Sequence, residues 1–474
     1  MTAGKVVYAS DDTSFFRKRR VAGLLALVIV PCILAQVSWE AHAVSGLTNS
    51  AWYRGNASSS YRTVEAGQGE KVSRKLIDNM PQNVDPHRSC KKGGEDLPKL
   101  VLVQEWRTNK QRPRESITLM TQLSADRLPM LENQCRTWTD PLAAVVYVPL
   151  FRNGSDGTPI IPTYINTTLE DVIRGMDSFF HFMEGTAQCA LHMELVGQFL
   201  DPLDPEKYPI NSLRNRALRM SITELTFMLD VDFVASPNLG LPEPGYRDPA
   251  VYNQMAELTA MKKALVLPAF EITNRKQDLI MAQNLARNCV MLGKDGMREQ
   301  YLSGKVDAFN GQDAPWGHGP TNTTKWVRLT KPVTYRANYE PRYEPFLVMH
   351  RNVAPWADER FVGYGGNKIA YINQLNGLGV SFHVHPFGFV IHVPHVKTKA
   401  ANTFVLEKRR GESPMDDLRA LVEAEVEKAT YAPHTVFCPK DLVSDADVEN
   451  LMGRGSEDGG GDGNTSEALK ETKR

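Results

Sequence analysis

Apolar runs of strand length alternate with segments of helical spacing from residue 99 to about residue 400. Five of the runs are typical of strands, the first of them buried: KLVLVQEW, ESITLMTQL, AAVVYVPLF, CALHMELVGQFL and TELTFMLDVDF. Two segments between them have the spacing of helices: ADRLPMLENQCRTW and NSLRNRALRMSI. This alternation predicts an α/β layered fold on a mixed, mostly parallel sheet, with ligands at the carboxyl ends of the strands.

The N-terminal region carries a basic cluster, RKRR at residues 17–20, followed by an apolar run at residues 21–38. A membrane-spanning helix needs about 17–25 residues, so the run predicts one short transmembrane signal-anchor. The positive-inside rule makes residues 1–20 a cytoplasmic tail and gives a single-pass type II topology with a lumenal catalytic domain. A cleaved signal peptide is the alternative interpretation, because AHAVS at residues 41–45 resembles a cleavage site.

The rest of the chain divides into three further regions by composition. Residues 39–98 are polar with little periodic pattern, which is typical of a flexible stem. Residues 99–430 form the predicted catalytic domain, and its last part, from about residue 412, has helical spacing. Residues 431–474 form a C-terminal tail that we expect to be largely disordered from residue 453, where glycine and acidic residues dominate.

The charge balance and the cysteine content limit the class of protein. With 55 basic and 55 acidic residues the formal net charge is zero, which argues against a nucleic-acid partner. The six cysteines form no C-x-x-C pair, which disfavours zinc ribbons and thioredoxin-like sites. Cys32 lies in the apolar run, and the other five allow one or two disulfides in an oxidising compartment, with the pairing left open. Five N-x-S/T sequons support a lumenal location: Asn56, Asn153, Asn166, Asn322 and Asn464.

The strand-like segment TFMLDVDF carries Asp230 and Asp232, which are separated by one residue. In an extended chain such side chains point to the same face, so both carboxylates are expected at a single site. Paired carboxylate oxygens suit Mg²⁺ or Mn²⁺, and a cation there offsets the charge that develops when a diphosphate leaves. An isolated D-x-D is usually a solvated turn, but the apolar strand and the preceding basic helix, which includes Arg214, favour a ligand site.

Two further segments carry candidate chemistry. FVIHVPH places His392 at the end of a strand, where an imidazole suits Mn²⁺, although a histidine satisfied by backbone is the common alternative. The glycine-rich loop at residues 358–368 permits close approach of the backbone to a ligand. Its acids Asp358 and Glu359 are candidates for the base that deprotonates an acceptor hydroxyl. The histidines of SFHVHP, at residues 381–386, alternate as ordinary strand residues do.

Eight segments, taken in order, resemble glycosyltransferase family 49 over about residues 115–400. They are ITLMTQLSADRLPMLENQCRTW, YPINSLRNRALRM, TFMLDVDF, KKALVLPAFEI, GHGPTNTTKW, YEPFLVMHR, DERFVGYGGNK and FVIHVPH. This family includes the glucuronyltransferase domain of LARGE-type enzymes and the β-1,4-glucuronyltransferase of the dystroglycan glycan pathway. The resemblance implies a GT-A fold, an inverting mechanism, a Mn²⁺ ion, a UDP-sugar donor, usually UDP-glucuronic acid, and a glycan acceptor met in the Golgi.

The resemblance also implies metal and nucleotide residues. Asp230 and Asp232 match the family's D-x-D and His392 matches its shared histidine, so these three are the expected Mn²⁺ ligands. His395 matches a second histidine, found in the LARGE-type form alone, and stays outside the expected set. The implied nucleotide contacts are Ser124, Arg127, Asn211, Arg214, Asn215 and Asp230 itself.

On the acceptor side, the resemblance implies four residues: Lys325, Trp326, Asn367 and Lys368. The chain departs from the family at Gly366, where members carry an aromatic residue. We expect this glycine to open space near the sugar pocket, which leaves the identity of the sugar undecided. The chain also has a single catalytic domain where LARGE-type enzymes have two, so it is not expected to build an alternating polymer alone.

These residues predict a metal-dependent inverting transferase that moves a sugar, most simply glucuronic acid, from a UDP-sugar to a glycan acceptor. The expected step is direct displacement, with Asp358 as the base and Glu359 or Glu344 as alternatives. Two other functions stay open: transfer of xylose or a hexose, and glycan binding without catalysis on the same fold.

Overall fold

The computed structural model describes residues 90–94, 96–154, 157–162, 167–201, 207–274, 278–396, 406, 409–411 and 414–438. The predicted cytoplasmic tail, the transmembrane segment at residues 21–38 and most of the stem lie outside these residues. The C-terminal tail from residue 439 also lies outside them. Within the described ranges, no helix is both long enough and apolar enough to cross a membrane.

The secondary-structure elements are numbered in chain order. The strands are β1 (Lys91–Lys92), β2 (Leu100–Arg107), β3 (Ile117–Ser124), β4 (Pro141–Arg152), β5 (Pro159–Ile160), β6 (Ala190–Phe199), β7 (Leu225–Met228), β8 (Phe233–Ala235), β9 (Lys263–Leu267), β10 (Ala269–Ile272), β11 (Val306–Ala308), β12 (Tyr335–Ala337), β13 (Phe346–His350), β14 (Ser381–Val384), β15 (Val390–His392) and β16 (His434–Thr435). The helices are α1 (Leu128–Thr137), α2 (Leu169–Thr186), α3 (Ile210–Met220), α4 (Pro249–Ala260), α5 (Leu279–Val290), α6 (Gly293–Leu302), α7 (Pro315–His318), α8 (Thr323–Arg328), α9 (Asn367–Gly377) and α10 (Pro414–Glu427).

A ten-stranded mixed sheet organises the fold, in the order β12-β14-β9-β13-β7-β3-β4-β6-β2, with β5 paired to β4. Its centre, β7-β3-β4-β6, is parallel throughout, as the alternation of strands and helices predicts. The flanking strands β13 and β2 are antiparallel to their neighbours in this centre. A second, four-stranded sheet has the order β11-β10-β15-β8.

Both faces of the central strands are buried because successive side chains of a strand point to opposite faces. On β4, Leu142, Ala144 and Val146 join a core that includes α1, α2 and α4. The alternate residues Val145 and Tyr147 join a second core with α3 and α9. The sheet is therefore sandwiched between helical layers, and its strand ends are left as the place where ligands can reach it.

The predicted elements are present in the structure, with two differences. The segment KLVLVQEW forms β2, but β2 is the edge strand of the large sheet, so Val101 and Leu102 are 38% and 49% exposed instead of buried. The segment TELTFMLDVDF does not form one strand, because β7 ends at Met228 and β8 begins at Phe233 in the other sheet. The two aspartates of the D-x-D therefore lie in the connection between the sheets.

The folded region extends beyond the predicted limits of 99 and 430. Strand β1 pairs in parallel with β16, and a disulfide joins Cys90 to Cys438 with their Cα atoms 5.8 Å apart. Helix α10 packs against α9 through a small core that contains Val422. We call α10, β16 and this disulfide the C-terminal clasp. A second disulfide joins Cys135 to Cys189, which settles the pairing that the sequence left open.

Removal of the clasp disulfide is expected to lower stability. The disulfide closes a loop with a sequence separation of 348 residues and so limits the freedom of the unfolded chain. The double variant Cys90→Ser with Cys438→Ser should therefore lose about 2–5 kcal/mol of unfolding free energy. Thermal unfolding of the purified variant measures this loss. Cys289→Ala, which removes a buried free thiol and no disulfide, is the matched control with the smaller effect. An unchanged melting temperature in the double variant would show that the clasp is held by its other contacts.

Candidate functional site

The two aspartates of the D-x-D lie in a turn between β7 and β8. The amide of Phe233 donates to the carbonyl oxygen of Asp230 at 3.0 Å, which closes the turn. Because the backbone is not extended here, Asp230 and Asp232 bind different partners. The two carboxylates are still close enough for the charge of Asp230 to act on Asp232, and their participation in one site stays a prediction.

Asp232 forms a ligand cluster with His392 and His395. Strand β15 pairs antiparallel with β8, with His392 opposite Phe233, so both histidines are brought back to the turn. The Nε2 atoms of His395 and His392 lie 3.0 and 3.8 Å from Oδ2 of Asp232. The ligand atoms of all three residues lie within 4.8 Å of one another. One carboxylate and two imidazoles suit Mn²⁺ or another first-row divalent ion better than Mg²⁺, which prefers oxygen ligands.

This cluster differs from the predicted ligand set Asp230, Asp232 and His392. His395, which the prediction left outside the set, lies in the cluster, and Asp230 does not. The hydrogen bond to Asp232 raises the pKa of His395. Burial opposes ionisation of Asp232, but the hydrogen bond from His395 and the charge of His392 outweigh it and lower the pKa of the carboxyl. A carboxylate favoured in its charged form is ready to receive a cation.

Asp230 is held between two cations. Its Oδ1 accepts a hydrogen bond from the guanidinium of Arg214 in α3 at 2.9 Å, and its Oδ2 accepts one from the ammonium of Lys368 in α9 at 2.8 Å. Asn367 accepts from the same guanidinium at 2.7 Å and fixes its orientation. Burial opposes the ionisation of Asp230, but Lys368 and Arg214 outweigh it and hold the pKa of this carboxyl well below its usual range. Asn367 and Lys368, predicted on the acceptor side, therefore belong to the same group as the predicted nucleotide residue Arg214.

Some buried polar atoms beside Asp230 have no partner among the described residues. They are Nε of Arg214 and the hydroxyl of Thr121 on β3. Buried polar atoms are normally hydrogen-bonded, so these two atoms are exceptions that lie beside Asp230. Both residues line a narrow gap together with Gln122 and Asp230.

Glu344 lies beside the same turn, at the start of β13. Strand β13 pairs antiparallel with β7, with Leu347 opposite Met228, so the segment before β13, which contains Glu344, lies on the same side of the sheet as the residues that follow β7. Burial raises the pKa of Glu344, and the charges of Lys368 and Asp230 also act on it. Its amide donates to the carbonyl of Gly317 at 2.8 Å, whereas its carboxylate has no hydrogen bond or ion pair within the described residues.

An aromatic wall joins the ligand cluster to Lys368. The ammonium of Lys368 lies 3.9 Å from the ring centroid of Phe346, and the ring of His392 lies 5.2 Å from that of Phe309. His318 packs between them, 5.6 Å from Phe309 and 6.0 Å from Phe346. Burial, with the charge of Lys368, lowers the pKa of His318 to about 3, so this ring is neutral. The sequence prediction missed His318 and Phe346, although both lie in segments that carry the family resemblance.

The predicted nucleotide residues at the end of β3 remain near the cluster. Ser124 is the last residue of β3 and is half-buried. Arg127 lies close enough to His395 and Tyr208 for its charge to influence both. These positions agree with a ligand bound at the carboxyl ends of the parallel strands, and their role in nucleotide binding stays a prediction.

The predicted bases Asp358 and Glu359 are buried in structural contacts. Asp358 is 3% exposed, and its carboxylate accepts from Arg360 at 2.6 Å and from the hydroxyl of Tyr431 at 3.1 Å. Glu359 is fully buried, and its carboxylate accepts from Ser212, Asn215 and Thr435. Burial raises the pKa of Glu359, and these hydrogen bonds oppose that effect. The predicted role of these two acids as the base has no support here, because structural contacts occupy both carboxylates.

The asparagines predicted to face the donor have a structural role as well. Asn211 donates to the carbonyl of Asp358 at 2.7 Å, and Asn215 donates to the carbonyl of Ala357 at 2.8 Å. Both side chains therefore hold the segment that leads to α9. Asn211 still contributes to the site indirectly, because its Oδ1 accepts from Arg214 at 3.2 Å.

The side chains of Lys325 and Trp326, predicted on the acceptor side, contact Tyr335 and the carbonyl of His385 respectively. Trp326 is fully buried and its indole donates to the carbonyl of His385 at 2.9 Å. The ammonium of Lys325 lies over the ring of Tyr335 at 4.2 Å. Trp326 is thus a core residue, because a side chain with no exposed surface cannot contact an acceptor.

Gly366 does not open a pocket, contrary to the expectation. Its φ is +70°, a conformation that L side chains rarely adopt, and a Cβ there would lie 3.1 Å from the carbonyl oxygen of Met415. Helix α10 of the C-terminal clasp thus occupies the space beside this glycine. A side chain at position 366 would meet helix α10, so the absence of an aromatic residue there does not enlarge the sugar site.

Substitutions at Asp358 and Glu359 should affect stability and spare turnover. Glu359→Ala leaves three buried donors without their acceptor, at a cost of about 1–3 kcal/mol or more. The turnover per folded molecule should stay within about threefold for Asp358→Asn, because that carboxylate does not reach the site. Thermal unfolding and kcat, measured on the same samples, separate the two effects. A large loss of kcat at unchanged stability would restore Asp358 as the base.

The fold and the site define an α/β protein with a charged ligand site at the carboxyl ends of central parallel strands. Residues 116–414 match the family described as glycosyl-transferase for dystroglycan, and the chain belongs to this family, glycosyltransferase family 49.

Curated relatives agree with this membership. Xylosyl- and glucuronyltransferase LARGE1 of Gallus gallus is 32% identical over 279 residues, which cover 59% of this chain and 31% of the relative. LARGE1 of Homo sapiens gives the same values, 32%, 59% and 31%. The glycosyltransferase-like protein LARGE of Caenorhabditis elegans is 30% identical over 61% of this chain and 40% of its own length. The chain therefore spans less than half the length of these relatives.

Among solved structures, the crystal structure of GalNAc-T7 with UDP, GalNAc and Mn²⁺ is similar at a TM-score of 0.33 and 9% identity. The similarity covers 85% of this chain and 70% of that chain.

Proposed function

We propose that this protein is a metal-dependent inverting glycosyltransferase with a GT-A fold, which transfers a sugar from a UDP-sugar to a glycan acceptor. The observation that carries the proposal is the pairing of two groups at one turn: the ligand cluster on Asp232 and the cation pair on Asp230. The charge of a nucleotide diphosphate can be offset by a metal ion and by fixed cationic side chains, and this turn has ligands for the first and two residues of the second kind.

The residues of the proposed site have separate roles. Asp232, His392 and His395 would hold the divalent ion, which supplies positive charge to the leaving diphosphate when it is bound. Arg214 and Lys368 are fixed by Asp230 and present their remaining N–H groups to the donor. Their orientation is set before the donor binds, so little reorganisation is needed during the reaction.

Glu344 is the base in this proposal. An inverting displacement needs a carboxylate near the acceptor hydroxyl. Glu344 is close enough to Asp230 for the two charges to interact, and its carboxylate has no hydrogen-bond partner among the residues that the structure describes. Its oxygen would accept the proton of the acceptor hydroxyl as that oxygen bonds to the anomeric carbon of the donor. The bond from that carbon to the diphosphate breaks at the same time, on the opposite face of the sugar. The role passes to Glu344 because Asp358 and Glu359 are occupied by structural contacts.

Glucuronic acid is the proposed sugar. The relatives are named xylosyl- and glucuronyltransferases, and a uronic acid brings a carboxylate to a site that already contains two cations, Arg214 and Lys368. Transfer of xylose or a hexose is the second candidate, because the same relatives carry a xylosyltransferase name.

We also propose that the protein works in the lumen of the Golgi, on a single-pass type II membrane anchor. The disulfides Cys90–Cys438 and Cys135–Cys189 support an oxidising compartment. The basic cluster and apolar run at residues 17–38 support an anchor, and no nucleic-acid partner is proposed for a chain of zero net charge.

A UDP-release assay on the purified protein tests the function. Mn²⁺ is supplied with UDP-glucuronic acid, UDP-xylose, UDP-glucose or UDP-N-acetylgalactosamine, with and without EDTA. Chelator-sensitive release of UDP from UDP-glucuronic acid is the expected result. Preference for another donor would overturn the choice of sugar and leave the proposed transferase function in place. A folded protein that binds UDP and Mn²⁺ yet releases nothing, even with glycan acceptors, would favour a glycan-binding role without catalysis.

A further inference from the structure

Large aromatic side chains are seldom exposed in the part of the chain that the structure describes. Phe182, Trp316 and Tyr364 are the exposed ones, at 50%, 42% and 55%. Two of the three lie near the D-x-D turn. Trp316 precedes Gly317, whose carbonyl accepts from the amide of Glu344, and Tyr364 lies four residues before Lys368, which binds Asp230. Single exposed apolar residues are ordinary, but two aromatic rings near one candidate site call for an explanation.

Trp316 is linked to Glu344 through the short helix α7. The next residue, Gly317, accepts the hydrogen bond from the amide of Glu344, and the one after it is His318 of the aromatic wall. The guanidinium of Arg342 lies 5.6 Å from the Trp316 ring. Arg342 has a φ of 68°, a costly conformation for a residue other than glycine, and such residues cluster at functional sites. This short segment therefore brings an exposed indole, a cation and Glu344 together.

Tyr364 lies on the glycine-rich loop that leads into α9. It lies between Gly363 and Gly365, both with positive φ, which gives the loop its sharp course. Burial of the hydroxyl and the charges of Glu344, Asp232 and Asp230 raise the pKa of Tyr364. The same loop leads into α9, where Lys368, four residues after Tyr364, donates to Asp230 at 2.8 Å, while the Tyr364 ring is 55% exposed.

We propose that Trp316 and Tyr364 form the acceptor-binding surface of this enzyme and stack on the saccharide whose hydroxyl faces Glu344. A pyranose has an apolar C–H face and a polar hydroxyl edge, so it matches aromatic rings that lie beside a carboxylate and an arginine. Arg342 further suits an acceptor that carries an acidic group. This surface takes the place of Lys325 and Trp326, and the inference rests on the proposed function.

The test uses the detergent-solubilised full chain with Mn²⁺ and UDP-glucuronic acid. The probes are the p-nitrophenyl β-glycosides of xylose, glucuronic acid, galactose and N-acetylglucosamine. UDP release without a glycoside reports on the donor site, and the extra release with a glycoside reports on the acceptor site. Trp316→Ala and Tyr364→Ala should each raise the KM for the stimulating glycoside about tenfold or more, with glycoside-independent release unchanged. Tyr364→Phe should keep most of the affinity, because the ring remains.

Phe182→Ala is the matched control, since it removes an exposed ring from α2. An unchanged glycoside KM in both alanine variants would overturn the proposal. A wild-type protein that releases UDP but is stimulated by none of the glycosides would overturn it too. Absence of any UDP release from the wild type would instead count against the proposed function, so the two failures are distinguishable. Glycoside-independent release also shows that each variant is folded.

Discussion

Asp232→Asn is expected to lower metal-dependent transfer on the order of a thousandfold. An amide supplies no negative charge, so the two imidazoles of the cluster would bind the ion weakly. A bound ion contributes several kcal/mol to catalysis of this kind, and about 1.4 kcal/mol corresponds to a tenfold change in rate. The measurement is kcat/KM for UDP-glucuronic acid across a Mn²⁺ titration, in which the half-saturating Mn²⁺ concentration should also rise.

His395→Ala distinguishes the observed cluster from the predicted ligand set. It should raise the half-saturating Mn²⁺ concentration because His395 is a member of the cluster. The chain offers a matched control in a second cluster, Glu105 with His192 and Glu194, whose acids are paired with Arg107 and Arg216. His192→Ala should leave the Mn²⁺ dependence unchanged. Equal sensitivity of the two histidine variants would disprove the assignment of the metal centre.

Glu344→Gln is expected to lower transfer by about 10²–10⁴-fold, the usual contribution of a general base. Glutamine keeps the size of the side chain but cannot take the proton from the acceptor hydroxyl. The KM for the UDP-sugar should change little, because donor binding is assigned to other residues. Steady-state kinetics with donor and acceptor varied in turn separates the two parameters.

The pH dependence gives a second measurement on the same variant. Burial raises the pKa of Glu344, with Lys368 and Arg214 opposing this effect and Asp230 adding to it. The base acts when deprotonated, so the wild-type rate should rise with pH through a value above that of an ordinary glutamate. In the Glu344→Gln variant, the residual rate should no longer rise with pH over this range. Glu340→Gln is the matched control, because Glu340 is exposed and lies four residues away in the chain. If Glu340→Gln lost as much transfer activity as Glu344→Gln, the assignment of Glu344 as the base would be contradicted.

The sequence was sufficient for the mixed α/β architecture. Strand and helix periods in the core predicted an α/β fold, because residues that fill a two-sided sheet leave long apolar runs such as β4. The placement of Asp230 and Asp232 at the end of β7 was also predictable, since an apolar run that ends in acids is a local pattern. The exposure of β2 could not be predicted from the sequence, because the position of a strand at the edge of a sheet depends on which strands pair.

The errors in the site arose from contacts that are distant along the chain. Glu359 binds Thr435, and Asp358 binds Tyr431, so residues from the predicted tail occupy the two acids that the sequence suggested as bases. His395 could be recognised as a cluster member only once β15 was known to return antiparallel to β8. Glu344 became prominent through the register of β13 on β7, which no local pattern reports.

The pairing of β1 with β16 brings the two ends of the folded region side by side. With the Cα atoms of Cys90 and Cys438 5.8 Å apart, a linker of a few residues could join these ends. Circular permutation is therefore feasible, with new termini in an exposed surface turn remote from the D-x-D. The same pairing also places Cys90 and Cys438 at one corner of the fold, so a label or tether attached at either position shares a single exit point.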